Sequence, residues 1–267
     1  MDLRPKKALG QHFLRHEAIC QRIASLLESS GADIILEIGP GPGALTEALE
    51  QVPHQSLILL EKDARFAAQR KAAARPRTRC LNLDALDFDW RSLPPGALLA
   101  GNLPYNIASR LIWDILARLS GEHAFRKAVF MIQKEVALRI CAPPGSRLTG
   151  ALGIWAQAHA RPKLEFSVLP GSFYPPPKVD SAVLSFLPHA VAPQNPDALK
   201  TLLAICFEKR RKQILGTLSR AGLADAEDAL SVTGISPTAR PEQISAKDFV
   251  RLADLLAKSL TSHAKKF

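Results

Sequence analysis

Asn102, Leu103, Pro104 and Tyr105 follow one another directly after an apolar run, Ala97-Leu98-Leu99-Ala100, and Gly101. Their types suit one chemical problem. The exocyclic amino group of a nucleobase is a poor nucleophile, because its lone pair is delocalised into the ring. To use it, a protein must accept hydrogen bonds from both N–H groups and hold the base plane against an aromatic or apolar wall. Asn102 offers a side-chain carbonyl. Leu103 precedes a proline and is biased towards extended geometry, which can aim its backbone carbonyl inward. Pro104 has no N–H to compete, and Tyr105 offers a stacking face. The plainer alternative is a proline-containing loop that caps a helix at Asn106.

These residues need a scaffold, and the flanking pattern predicts one. An apolar run bounded by Gly and Pro reads as a buried strand ending in a turn. Open α/β sheets bind ligands outside the carboxyl ends of their strands, so Asn102 is expected at the mouth of a cleft. Three earlier strands end on residues of a matching kind. Residues 33–38 read as the first strand, followed by Gly39-Pro40-Gly41-Pro42-Gly43 and a helix through Leu45 and Leu49. Residues 57–60 read as the second, ending at Glu61, whose carboxylate can accept hydrogen bonds from both hydroxyls of a ribose. Residues 79–83 form a third, ending at Asp84. That carboxylate can accept from an adenine amino group or simply organise a turn.

The strand–glycine loop–helix unit is ambiguous by itself. Gly39, Gly41 and Ala44 satisfy the dinucleotide pattern G-x-G-x-x-A, with Glu61 at a plausible spacing. Two details favour S-adenosylmethionine. Glu37 lies two residues before the first glycine, where an acid could serve a methionine ammonium through water. Pro40 and Pro42 lack N–H groups, which makes the loop a poor phosphate cradle.

Elsewhere the chain reads in simple terms. Residues 1–14 form a basic arm, and Ile19, Ile23, Leu26 and Leu27 recur at helical spacing. Residues 107–119 and 147–159 read as helices, 128–132 as a fifth strand, and 163–169 with 179–187 as paired strands. Between that pair, Phe173-Tyr174-Pro175-Pro176-Pro177-Lys178 is a stiff mount for aromatic side chains. Phe173 could stack a base, or it could be tucked into the core of a hairpin loop. Residues 188–197 read as a linker and the remainder as helices. Lys209, Arg210, Arg211 and Lys212 wrap most of a helical turn, as a solvated face or as a contact to RNA phosphates. Ser245 and Asp248 predict a capping box opening the last helix.

The 267 residues suffice for one large domain or two smaller ones, and 47% hydrophobic content excludes a disordered chain. The net charge of +10 points to a polyanionic partner. It is spread along the chain, +6 before residue 188 and +4 after it. The four cysteines lack zinc-site or disulfide-framework spacing, so a reducing cytoplasm and no metal site are expected. No leader or membrane span is expected either.

Four segments together carry a resemblance. Gly10-Gln11-His12-Phe13-Leu14, Leu36-Glu37-Ile38-Gly39-Pro40-Gly41, Asn102-Leu103-Pro104-Tyr105 and residues 173–183 are similar to the KsgA-type ribosomal RNA adenine dimethyltransferases. The likeness runs from about Lys6 to Leu255. It implies an α/β fold with a doubly wound, class I methyltransferase-type sheet, over residues 1–187, and a small helical C-terminal domain, 188–267, that binds rRNA. It implies S-adenosylmethionine-dependent dimethylation of N6 on two adjacent adenines, in the 3′-terminal hairpin loop of 16S rRNA of the 30S subunit or its precursor. His12 and Leu14 would contact the cofactor, with Gly39 at its methionine end, Glu61 on the ribose and Asp84 on the adenine amino group. Asn102 would serve cofactor and target, the Leu103 carbonyl would help hold N6, and Tyr105 and Phe173 would sandwich the flipped base. The family implies a cytoplasmic monomer. An erythromycin-resistance-type enzyme acting on 23S rRNA is the nearest rival. A DNA adenine methyltransferase, a pre-30S assembly factor with secondary catalysis and a dinucleotide oxidoreductase stand further off.

Overall fold

The computed structural model describes residues 4–6, 10–28, 31–208 and 212–264. The chain forms two compact units: Met1–Ala137 with Arg161–Pro188, and Leu138–Ala160 with His189–Phe267. Residues 138–160, which the sequence reading joined to the first domain, therefore cluster with the C-terminal helices.

The first unit is built on a sheet. Its strands are β2 (Ile34–Ile38), β3 (Ser56–Glu61), β4 (Thr78–Asn82), β5 (Leu98–Asn102), β6 (Lys127–Gln133), β7 (Ala160–Val168) and β9 (Ser181–Pro188), in the order β4-β3-β2-β5-β6-β9-β7. The four pairings among β2 to β6 are parallel, and β9 runs antiparallel to β6. Ile35, Leu36, Glu37 and Ile38 are all buried. Successive strand side chains point to opposite faces, so both faces of the sheet are covered at its centre. That burial is why the strands read as continuous apolar runs rather than alternating ones. A separate short ladder pairs β1 (Phe13–Leu14) with β8 (Phe173–Tyr174).

The helices of this unit are α1 (Glu17–Glu28), α2 (Ala44–Leu49), α3 (Ala64–Ala72) and α4 (Ala108–Arg118), with α5 (Lys134–Ile140) at its end. On α4, Ala108, Leu111, Ile112, Ile115 and Leu116 are buried at helical spacing. The sequence reading missed α3, whose stretch ARFAAQRKA has a weak apolar stripe. An Asp63 side chain that accepts from the Arg65 N–H starts it.

The chain order reverses at β2. From there it runs outward through β3 and β4, then crosses back to place β5 on the other side of β2. The crevice between the carboxyl ends of β2 and β5 is the switch point of the sheet, where such folds bind ligands. The two strands approach closely there. A Cβ at Gly101 would lie 2.7 Å from the Ile38 carbonyl oxygen, so only glycine fits without displacing backbone.

The second unit holds α6 (Ala151–His159), α7 (Pro196–Glu208), α8 (Ile214–Arg220), α9 (Ala226–Thr233), α10 (Ala246–Leu255) and α11 (Ala257–Ala264). Leu199, Leu202, Leu203, Leu230, Phe249 and Leu252 form its interior. The expected cap of α10 is present: the Ser245 hydroxyl accepts from the Asp248 N–H at 3.1 Å and donates to Asp248 Oδ2 at 2.7 Å. Among the described residues no helix is long and apolar enough to cross a membrane, and no three His, Cys, Asp or Glu side chains gather as a metal site.

Candidate active site

A cavity opens at the switch point. Gly39, Glu61, Asp84, Asn102, Leu103 and Tyr105 line it, together with His12 from the N-terminal arm. The strand ends and the arm thus bring together seven of the residues expected from sequence. Ile38, Leu60, Leu83, Ala85 and Ile107 supply apolar walls.

The glycine loop is tied down from within. The Gly39 N–H donates to the Leu60 carbonyl at 2.9 Å, and the Gly43 N–H to the Pro40 carbonyl at 2.9 Å. The Gly41 N–H donates to Glu61 Oε2 at 3.0 Å. Pro40 and Pro42 have no N–H. Residues 39–43 therefore leave no backbone donor for a phosphate. Gly39 adopts φ +68°, a conformation that favours glycine and keeps bare backbone at the cavity wall.

Glu61 is 5% exposed, and its other oxygen accepts from the Asp63 N–H at 2.7 Å. Burial raises its carboxyl above the usual range, and the Asp63 and Gly41 amides oppose that rise. Each oxygen retains accepting capacity for a ligand hydroxyl. Asp84 organises a turn, the plainer of the two roles weighed from sequence, and also lines the cavity. Its Oδ1 accepts from the Leu86 N–H at 3.0 Å, organising a turn, and its Oδ2 pairs with Lys62 Nζ at 2.6 Å. Burial would raise its carboxyl, but the Lys62 hydrogen bond and the Leu86 amide hold it below the ordinary value. Among the described residues lining the cavity, Lys62 is the one Lys or Arg, and it is engaged with this acid.

The arm closes the other side. Gly10, Gln11, His12 and Phe13 all line the cavity. Asn102 Nδ2 donates to the His12 carbonyl at 2.8 Å, leaving Oδ1 as an acceptor. The His12 ring stacks on Tyr105 with centroids 5.6 Å apart, and its Nδ1 donates to the Pro175 carbonyl at 2.8 Å. The Tyr105 hydroxyl bonds the Ser181 hydroxyl, and burial raises its pKa. Gln11 reaches Asp63 Oδ2 at 3.4 Å, and the Lys6 N–H donates to Gln11 Oε1 at 2.8 Å. Sequence reasoning gave no site role to Gln11 or Asp63. The signal was their position, one in the Gly10–Leu14 segment and one just past the Glu61 strand tip.

Three expectations fare differently. Leu14 and Phe173 do not line the cavity; they face each other across the β1–β8 ladder and are buried in the core. Phe173 is 4% exposed, so its ring is packed by protein rather than presented to a base. Glu37 does not reach the cavity either. It is 1% exposed and accepts a 2.6 Å hydrogen bond from the Thr46 hydroxyl. Lys209, Arg210 and Arg211 lie outside the described residues. Lys212 is described, and it lines a polar depression of the helical unit with Arg220, Arg240, Gln213, Thr238 and Gln243.

The model of the family described as ribosomal RNA adenine dimethylase matches residues 3–258. A protein of Oleidesulfovibrio alaskensis named ribosomal RNA small subunit methyltransferase A is 46% identical over 266 residues, covering 97% of this chain and 94% of its own. A Pseudomonas putida protein of the same name is 41% identical, covering 95% and 96%. Among solved structures, a dimethyladenosine transferase from Plasmodium falciparum superposes with a TM-score of 0.77 at 25% identity, covering 92% of this chain and 98% of its own. The 23S rRNA methyltransferase ErmE superposes with a TM-score of 0.69 at 25% identity, covering 92% and 99%.

Proposed function

The chain belongs to the ribosomal RNA adenine dimethylase family and is an rRNA methyltransferase, and from that premise we propose that it dimethylates N6 of two adjacent adenines in the 3′-terminal hairpin loop of 16S rRNA. The substrate is the 30S subunit or its precursor, met in the cytoplasm by a monomeric enzyme, and the modification is linked to 30S biogenesis. The small-subunit name shared by the curated relatives supports this over the large-subunit reading.

One observation carries the choice of S-adenosylmethionine. Residues 39–43 have no N–H left for a pyrophosphate, while Glu61 and Asp84 offer acceptors suited to ribose hydroxyls and an adenine amino group. The acceptors fit an adenosine, and the spent loop amides favour a sulfonium nucleoside over a dinucleotide. Gly39 would pass its methionine end, Glu61 would hold the ribose, Asp84 the adenine, and His12 would close over it.

When bound, S-adenosylmethionine would supply an electrophilic methyl carbon on its sulfonium, with S-adenosylhomocysteine as the leaving group. Asn102 Oδ1 and the Leu103 carbonyl accept from the N6 amino group and turn its lone pair towards that carbon. Tyr105 stacks on the target base. Its ring is already flanked by His12 and anchored through Ser181. The N6 proton becomes acidic only once nitrogen is alkylated, so the site needs positioning and electrostatics rather than a strong base. Lys212, with Arg220 and Arg240, would meet RNA phosphates.

The test is transfer of labelled methyl from S-adenosylmethionine to unmethylated 30S subunits, with 50S subunits and DNA in parallel. Dimethyladenosine confined to the 30S sample supports the proposal. Label in 23S rRNA transfers the reading to the resistance-type enzyme that the ErmE likeness keeps in view. Tight 30S binding without label points to an assembly factor.

A further inference from the structure

The β1–β8 ladder has two faces: one is buried in the core, and on the other Phe13 packs edge-on against the buried Phe66 while Tyr174 stays exposed. Leu14 and Phe173 point inward together. Strand alternation then places Phe13, Arg15 and Tyr174 on the opposite face. Tyr174 is 48% exposed, and the Arg15 guanidinium lies over its ring, 4.0 Å from the centroid. The Arg15 N–H donates to the Ser172 carbonyl at 2.9 Å, which extends the ladder by one residue and fixes the pair. After Tyr174 the chain is stiffened by Pro175, Pro176 and Pro177, and the Pro175 carbonyl is held by His12.

This pair walls a shallow depression separate from the reaction cavity, lined also by Arg4, Phe13, Pro42 and Glu47. Phe13 lines both. Sharing Phe13, the depression adjoins the cavity, so the nucleotide next to a base inserted beside Tyr105 could enter it. The chemistry of the rim suits a base more than a bare phosphate. A tyrosine ring backed by a guanidinium is a stacking platform, Arg4 and Arg15 bring positive charge, and Glu47 offers an acceptor for an exocyclic amino group.

We infer that Tyr174 and Arg15 form a second nucleobase site, which stacks an amino-bearing base flanking the target adenine and so positions the RNA strand. This rests on the reading of the chain as an rRNA adenine methyltransferase. Neither residue touches the proposed cofactor position, so the site acts on RNA alone.

The experiment is steady-state methylation of whichever ribosomal particle the wild-type enzyme modifies, by Tyr174→Ala, Tyr174→Phe and Arg15→Gln. Wild-type turnover tests the underlying reading, and the ratio of variant to wild type tests this one. Tyr174→Ala should raise KM for the particle roughly 5- to 100-fold. The same variant should leave affinity for S-adenosylhomocysteine unchanged, and Tyr174→Phe should restore the wild-type KM. Arg15→Gln should raise the same KM and no other constant. The inference is overturned if Tyr174→Ala methylates with the wild-type KM, or if affinity for S-adenosylhomocysteine falls in step with it, since the pair would then only brace the arm.

Discussion

The Asn102 side chain and the His12 backbone are joined at 2.8 Å, across 90 residues of sequence. The bond fixes which end of the amide faces the arm, so Oδ1 remains the accepting end. Asn102→Ala should lower kcat about 10²- to 10³-fold, the cost of removing one preorganised polar partner. RNA binding should be nearly unchanged, because the cations proposed to meet RNA phosphates do not line this cavity. Asn102→Asp restores an acceptor but sets a carboxylate against the His12 carbonyl, so it should rescue little. Single-turnover methylation beside filter binding of RNA separates the effects, and wild-type turnover in the alanine variant would remove Asn102 from the mechanism.

Gly101 tests how the crevice is held. A methyl group there would sit 2.7 Å from the Ile38 carbonyl oxygen and 3.1 Å from Leu103 Cδ2, forcing β2 and β5 apart at their carboxyl ends. Gly101→Ala should cost about 1–3 kcal/mol, as overpacking does, and weaken S-adenosylhomocysteine binding. Gly171→Ala, where a Cβ would meet nothing within 4 Å, is the matched control and should be near neutral. Equal melting temperatures for the two variants would contradict this account of the strand approach.

Phe173 and Tyr174 show where the sequence stops being legible. The tips of β2, β3 and β5 were readable because each follows a largely apolar run and meets a Gly, an acid or Asn102, and burial on both faces of the sheet makes such runs conspicuous. Which of two adjacent aromatics faces the core depends on a two-residue ladder with a strand about 160 positions earlier, and a one-residue slip would exchange them. The docking of the arm was hidden for the same reason. It rests on contacts between residues distant in sequence: the Asn102 bond to the His12 carbonyl, the His12 bond to the Pro175 carbonyl, the Gln11 bond to Asp63 and the β1–β8 ladder. Phe173→Ala should therefore act as a core truncation, costing about 3–5 kcal/mol. A variant with the wild-type melting temperature and a kcat defect would instead restore the sandwich role first expected for Phe173.

Glu37 gives the molecule a pH dependence of predictable sign. Burial, opposed by the Thr46 hydrogen bond and the charge of Arg70, pushes its carboxyl from an ordinary value near 4.5 to about 8. Between those values the folded protein keeps a proton that the unfolded chain releases. Stability should therefore fall as pH rises from about 4.5 to about 8, by roughly 1.4 kcal/mol for each unit within that window. Glu37→Gln keeps an acceptor for Thr46 and cannot titrate. Urea unfolding should show the variant gaining on wild type as pH rises, with near parity at pH about 4.5, the ordinary value. Parallel stability curves would mean that Glu37 is ionised in the folded protein.

Lys212, Arg220 and Arg240, spread over positions 212 to 240, line one depression of the helical unit. Arg220 is oriented by a hydrogen bond from its Nε to the Gly216 carbonyl at 2.9 Å. If these cations replace counterions on RNA, the logarithm of the binding constant should fall linearly with the logarithm of salt concentration. Each cation removed should then lower the slope by about 1. The triple variant with Gln at these three positions should bind 30S subunits more weakly at low salt and with a slope smaller by about 2–3. Its affinity for S-adenosylhomocysteine should be that of the wild type, because none of the three lines the reaction cavity. An unchanged slope would place the RNA phosphates on another face of the protein and leave the net charge of +10 without this site as an outlet.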